Sequence, residues 1–185
     1  MSVPTIETAR LRLRPLEVAD VDALHALFID PDVRRYLWDD VVVARDRVAT
    51  IVAESLASFA TDGSGLWGVR VRDEPALAGF CGYPRFHEPP VLELLYGMAP
   101  TLWGRGLATE AARAMIRYGF ETLALARIEA SIDPPNLASD RVLVKARLTR
   151  LGERATDGRA LVHFALARAQ FRPDAAPYRL VPPTI

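Results

Sequence analysis

The run Glu93-Leu94-Leu95-Tyr96-Gly97-Met98-Ala99-Pro100-Thr101-Leu102-Trp103-Gly104-Arg105-Gly106-Leu107-Ala108-Thr109-Glu110-Ala111 changes character halfway along. Residues from Val91 to Ala99 read as a strand. After Gly106 the apolar positions Ala108, Ala111, Ala112, Met115, Ile116, Phe120 and Leu123 keep to one side of a helix, while Glu110, Arg113, Arg117 and Glu121 take the other. Between them lies Trp103-Gly104-Arg105-Gly106-Leu107-Ala108, with two glycines in four residues. Such a loop brings backbone close to a ligand and tolerates positive φ. The N–H groups of a helix's first turn have no internal partners and sit at the positive end of its dipole, which suits a phosphate or pyrophosphate. On physical grounds the segment is either that or a plain strand-to-helix turn.

Working outward, Arg10 to Leu16 alternate polar and apolar, the period of a half-buried strand, with Pro15 placing it at an edge or ending it. Helical spacing follows from Ala19 to Phe28, stopped by Asp30-Pro31, and again from Arg45 to Ala60, stopped by Asp62-Gly63. Leu66 to Val71 and Leu77 to Tyr83 are strand candidates that form a meander with Val91 to Ala99. Beyond the central helix, Arg127 to Ile132 reads as a strand, and a short helix begins after Asn136 as its cap, with Leu143 inward. The strands Leu148 to Ala155 and Ala160 to Ala169 meet at Thr156-Asp157-Gly158-Arg159. The proline-bearing tail, residues 171–185, reads as irregular, and the whole of residues 1–185 as one domain.

Composition narrows the function classes. The chain has 185 residues, 23 basic and 23 acidic side chains, and 50% hydrophobic residues, the profile of an ordinary globular protein. Cys81 is the single cysteine, so a disulfide scaffold is excluded and a reducing compartment is implied. Balanced, interspersed charge argues against nucleic acid as partner. With no run of about 18 apolar residues and no apolar leader at the start, a cytoplasmic protein with no membrane partner is expected. Lys145 is the only lysine amid many arginines and alanines, which points to a GC-rich bacterial genome. His25, His87 and His163 are far apart and match no metal-binding spacing, so no metal is expected. Neither a G-x-S-x-G elbow nor a Walker loop is present. Gly63-Ser64-Gly65-Leu66-Trp67-Gly68 fits G-x-G-x-x-G, but it leaves a helix and enters a strand, the reverse of a dinucleotide site.

Taken with Arg127-Ile-Glu-Ala and Asn136-Leu-Ala-Ser-Asp-Arg-Val-Leu-Val-Lys145, the segment from Glu93 to Ala111 resembles the GNAT acetyltransferase superfamily. The nearest branch is that of the ribosomal-protein N-terminal (RimJ/RimL-type) acetyltransferases, and the likeness covers nearly the whole chain. It implies an α/β (α+β) GNAT acyl-CoA N-acyltransferase fold. That fold has a mixed, mostly antiparallel sheet of about seven strands, splayed between the fourth and fifth, with about four helices. Acetyl-CoA is the implied cofactor. The family's Q/R-x-x-G-x-G/A loop falls on Trp103 to Ala108, so the N–H groups of Gly104, Arg105, Gly106, Leu107 and Ala108 and the hydroxyl of Thr109 would hold its phosphates. Trp103 replaces the usual Gln or Arg at little cost, because backbone carries the contact. Main-chain groups of Tyr96, Met98 and Ala99 would pair with pantetheine like an added strand.

The resemblance also implies that Asn136 reaches the pantetheine arm and that Ser139 lies close to the sulfur, with Lys145 part of the cofactor-binding segment. Leu143 stands where many relatives carry the tyrosine that protonates the departing thiolate, which leaves Ser139 or water for that role. Lys145-Ala146-Arg147-Leu148 matches the family's K-L-G-F with Arg147 in place of the helix-ending glycine. Acetyl transfer needs a neutral amine, and Glu93, on the strand flanking the gap, is the candidate base; a solvated strand glutamate is the competing reading. Tyr36, Trp38, Asp39 and Asp40 fall in the substrate-lining region, where two carboxylates and two aromatics would attract and flank one ammonium group. Balanced charge disfavours a polyamine. The expected acceptor is a protein or peptide N-terminus, with a small-molecule amine as alternative, and the protein itself is expected to be a monomer or homodimer. A non-catalytic CoA-binding module is the rival, prompted by Leu143 and the altered 145–148 segment.

Overall fold

A computed structural model describes residues 3–87, 90–156 and 158–182. The helix read after Gly106 is α4 (Leu107–Glu121), and its buried residues, including Ala111, Ala112, Met115, Ile116 and Phe120, form one continuous apolar face. That face packs on a six-stranded antiparallel sheet made of β1 (Thr5–Thr8), β2 (Leu11–Pro15), β3 (Leu66–Val71), β4 (Gly79–Gly82), β7 (Leu95–Met98) and β11 (Tyr178–Val181), in the order β11-β1-β2-β3-β4-β7. Strand alternation sends Trp67, Val69 and Cys81 towards α4, whereas Leu66 and Phe80 meet the other side. There α1 (Val21–Ile29) and α3 (Arg45–Asp62) cover the sheet with Val21, Leu24, Phe28, Val48 and Val52. Cys81 is fully buried, and burial pushes its thiol far above the usual range.

A second, three-stranded antiparallel sheet holds β8 (Arg127–Ile132), β10 (Arg159–Ala167) and β9 (Thr149–Thr156), in the order β8-β10-β9. Asp157 of the expected β9–β10 turn lies outside the described residues. Helix α5 (Leu137–Lys145) follows β8, and a two-stranded ribbon joins β5 (Arg85–Phe86) to β6 (Val91–Leu92). The expected sheet of about seven strands is thus divided at the expected place, between β7 and β8. No helix among the described residues is long and apolar enough to cross a membrane.

Three expectations need correction. Asp30-Pro31 not only stops α1 but starts α2 (Pro31–Leu37): the Asp30 carboxylate accepts from Asp32 N–H at 2.9 Å, and Pro31 occupies the first turn, where its missing N–H costs nothing. The strand read from Val91 to Ala99 is broken at Glu93-Leu94, between β6 and β7. Of the two readings of Pro15, the second holds: it ends β2, which is an interior strand. Finally, the tail is not wholly irregular, because Tyr178 to Val181 pair with Thr5 to Thr8. Both are four-residue segments beside prolines, β11 at the sheet edge and β1 next to it, and both are too short for alternation to announce them.

The tail strand also brings the Tyr178 ring under Arg117, whose guanidinium carbon lies 4.5 Å from the ring centroid. Losing that contact and the ring's partial burial costs about 2 kcal/mol. At this chain length each kcal/mol is worth roughly 2–4 °C. A chain ending at Ala176 should therefore melt about 4–8 °C lower, with faster amide exchange at Thr5 to Thr8. A melting point within about 1 °C of the full chain would show that β11 contributes nothing.

Candidate cofactor and active site

The loop between β7 and α4 has the backbone its glycines implied: Gly104 (φ 74°) and Gly106 (φ 76°) are both left-handed. A Cβ built on Gly104 would meet nothing within 4 Å, so the glycine answers to conformation and to open space rather than to crowding. Trp103 ties the loop down, its indole N–H donating to Met98 O at 2.8 Å and its backbone N–H to Pro100 O at 3.1 Å. Gly106 occupies the N-cap of α4 without a side-chain cap, and among the described residues no hydrogen-bond acceptor meets the first-turn N–H groups of Leu107, Ala108 and Thr109. An uncapped helix start beside two left-handed glycines fits a pyrophosphate.

Beside this loop, β7 is the last strand of one sheet and β8 the first of the other. They are joined where Leu94 N–H donates to Glu129 O at 2.8 Å. Ala99 N–H donates in the opposite direction, to Ala78 O on the β4 side, at 2.8 Å. Alternation therefore turns the main-chain groups of Tyr96 and the N–H of Met98 into the gap, as an unpaired strand edge. For Ala99 the expectation does not hold at the N–H, which is held by Ala78, and its carbonyl already accepts from Leu102 N–H at 2.9 Å.

Glu93 sits at the narrow end of this gap. The solvated reading is overturned, since Glu93 is only 6% exposed. Its Oε2 accepts from Ser131 Oγ at 2.6 Å, and its Oε1 lies 3.1 Å from His87 Nε2. The break between β6 and β7 explains the burial, because it turns the side chain out of strand alternation and towards β8. Ser131 and His87 are partners that sequence reading missed. His87 is six residues away across the β5–β6 ribbon, so it carried a spacing signal; Ser131 reaches Glu93 only through the join between the sheets. His163 faces Ser131 across β10 and β8. Burial lowers its pKa and Arg154 lowers it further, against the opposing charges of Glu93 and Glu129.

Across the gap stands the start of α5. Asn136 caps it, its Oδ1 accepting from Ser139 N–H at 3.1 Å, which leaves the amide NH2 as the group able to reach a ligand. Tyr96 bridges the gap, donating its hydroxyl to Ser139 O at 3.0 Å. Burial pushes the Tyr96 hydroxyl well above its usual range, so it keeps its proton. Leu143 is fully buried in the core and holds no acid. At the other end of α5, Lys145 is exposed while its carbonyl accepts from Arg113 at 2.8 Å. Arg147 takes the left-handed conformation (φ 72°) that the family's glycine would supply.

The rim residues do not form the ammonium trap that was expected. Asp39 and Asp40 both adopt positive φ (54° and 62°), and each already faces an arginine. Arg34 Nε donates to Asp40 at 2.8 Å; Arg159 pairs with Asp39 and donates to Asp133 at 2.8 Å. The Trp38 ring packs on Phe28 with centroids 5.3 Å apart, so it is not free to flank a cation. Tyr36 donates to Pro135 O at 3.5 Å. Tyr36, and Asp39 through Arg159, make a strap from the end of α2 to the β8–α5 loop.

Comparison with known proteins agrees with this geometry. The model of the acetyltransferase (GNAT) domain family matches residues 10–149. An uncharacterized N-acetyltransferase, p20, of Bacillus licheniformis is 35% identical over 144 residues, covering 75% of this chain and 79% of that protein. An FsC-acetyl coenzyme A-N(2)-transacetylase of Aspergillus fumigatus is 30% identical over 161 residues, covering 80% of this chain and 66% of that protein. Among solved structures, an acetyltransferase from Agrobacterium tumefaciens superposes with a TM-score of 0.78 at 25% identity, over 90% of this chain and 95% of that one. A glycine loop opening an uncapped helix, a strand edge beside it and a family model spanning both lead to one conclusion: this chain belongs to the GNAT acetyltransferase family.

Proposed function

We propose that the protein moves an acetyl group from acetyl-CoA to a primary amine by direct attack in a ternary complex, in the cytoplasm. The observation that carries this reading is the open edge of β7 running from a buried carboxyl group, Glu93, to an uncapped helix start at Gly106. Acetyl-CoA supplies an acetyl group already activated as a thioester, so holding both substrates together suffices and no covalent enzyme intermediate is needed. Gly104 to Thr109 bind the phosphates through main-chain N–H groups and the Thr109 hydroxyl. Tyr96 and Met98 take the pantetheine amides on their free main-chain groups, and Asn136 meets the same arm from α5. Glu93, fixed by Ser131 and His87, accepts the amine proton directly or through water. Ser139 or water returns a proton to the thiolate.

For the acceptor, we infer a single exposed amine on a longer molecule, a peptide N-terminus. Support comes from the rim, where Asp40 pairs with Arg34 and Asp39 and Asp133 share Arg159, which weakens the acidic attraction a polyamine would use. Exposed Val41, Val42 and Leu137 lie on the segments that the strap connects and offer apolar contacts to residues beyond the amine.

Glu93→Gln keeps the shape and removes the proton acceptor, so turnover should fall roughly 10²-fold at neutral pH with acetyl-CoA affinity unchanged. Raising the pH should restore part of the rate, because more of the amine is already neutral. Unchanged turnover at neutral pH would remove Glu93 from the chemistry. Acceptor choice is read by free-CoA release at matched concentrations: peptides beginning with alanine or serine should outpace spermidine and an aminoglycoside. If either small amine outpaces every peptide, the acceptor is a small molecule; if nothing is acetylated while acetyl-CoA binds, the domain is a non-catalytic binding module.

A further inference from the structure

Glu110 lies in the first turn of α4, where its N–H bonds Gly106 O at 3.1 Å. A carboxylate suits that end of a helix dipole, yet it stands close to where phosphates would bind and would oppose them. It is not left unopposed. Thr8 Oγ1 donates to Oε1 at 2.6 Å, Arg10 N–H to the same oxygen at 2.8 Å, and Arg10 Nε to Oε2 at 2.7 Å. Burial alone would raise the Glu110 pKa, but these donors and the guanidinium charge outweigh it and hold the group below its usual range.

The Arg10 side chain continues past Glu110. Its Nη1 donates to Arg105 O at 2.8 Å, inside the glycine loop, and its Nη2 lies 3.6 Å from where a Gly106 Cβ would be. A trans peptide is planar, with its C=O and the following N–H pointing to opposite sides. Drawing the Arg105 carbonyl towards Arg10 therefore turns the Gly106 N–H away from it, to the side where a phosphate is to be met. The turn that carries Arg10 is itself fixed: Leu11 N–H bonds Thr8 Oγ1 at 3.0 Å, and Arg72 donates to Thr8 O and, through its backbone, to Arg10 O, both at 2.8 Å. Arg10, Gly106, Thr109 and Glu110 line one groove of about 180 Å³.

We propose that Arg10 is a positioning residue for the phosphate loop, fixing the 105–106 peptide so that its N–H faces the phosphates and neutralising Glu110 so that its carboxylate does not repel them. This rests on the reading that Gly104 to Thr109 hold the phosphates of CoA. The planar fork of arginine is needed, because the Glu110 carboxylate and the Arg105 carbonyl lie in different directions and a lysine ammonium cannot serve both with the same geometry.

The test compares a ligand that has the pyrophosphate with one that lacks it. In calorimetry on the full chain, Arg10→Gln should weaken acetyl-CoA binding about tenfold, the scale of one charge-assisted hydrogen bond. Turnover of S-acetylpantetheine, which carries no phosphate, should stay as in the wild type. Arg10→Lys keeps the charge and should show the same selective loss, at least about threefold, and it stands in if Arg10→Gln does not fold. Wild-type affinity in the folded variants, or equal loss with both thioesters, would overturn the inference. Wild-type protein that binds no acetyl-CoA at all would overturn the cofactor reading, and this inference with it; an unaffected Arg10→Gln beside a binding wild type overturns this inference alone.

Discussion

The hydrogen bond from Leu94 N–H to Glu129 O is the hinge of the molecule's architecture. There the last strand of the large sheet touches the first strand of the small one, and from that point the two separate. Had β7 and β8 paired along their length, the main-chain groups of Tyr96 and Met98 would be engaged and a continuous sheet would result. Because they diverge, an edge that would otherwise invite aggregation is presented inside a cleft, flanked by α5 on one side and the start of α4 on the other. The same divergence admits the Glu93 side chain to Ser131, since the break between β6 and β7 falls beside the join.

Much of this was legible in the sequence where a physical period or a special backbone requirement marked it. The period of α4, the two glycines before it, the strand from Leu66 to Val71 and the Asn136 cap all follow from local rules, and local rules place them correctly. What local rules cannot supply is pairing. The strands β1 and β11 are legible only as partners of each other, and Ala99 looked like its neighbours until its N–H was found bonded to Ala78. The capping role of Asp30 was hidden because Asp-Pro both ends one helix and begins the next.

Charge shows the same limit more sharply. Asp39 and Asp40 beside two aromatics resembled a cation site, but Arg34, six residues before Asp40, and Arg159, from the distant β10, occupy them. Exposed pairs of this kind contribute little stability, so their consequence is geometric: the strap holds α2 near the β8–α5 loop. At the phosphate loop an equivalent pairing acts in the opposite sense. Arg10 comes from a turn about a hundred residues away and cancels a carboxylate that would work against the ligand. No spacing in the chain records the contacts of Arg159 with Asp39 or of Arg10 with Glu110.

The account stands on the claim that the open edge of β7 and the start of α4 together receive acetyl-CoA. A crystal structure of the full chain with CoA tests this most directly. It should show the pyrophosphate within hydrogen-bonding distance of the N–H groups between Gly104 and Thr109, and a pantetheine amide bonded to the main chain of Tyr96 or Met98, with the thiol near Glu93 and Ser139. CoA bound elsewhere, or a β7 edge closed against β8 in the complex, would contradict it.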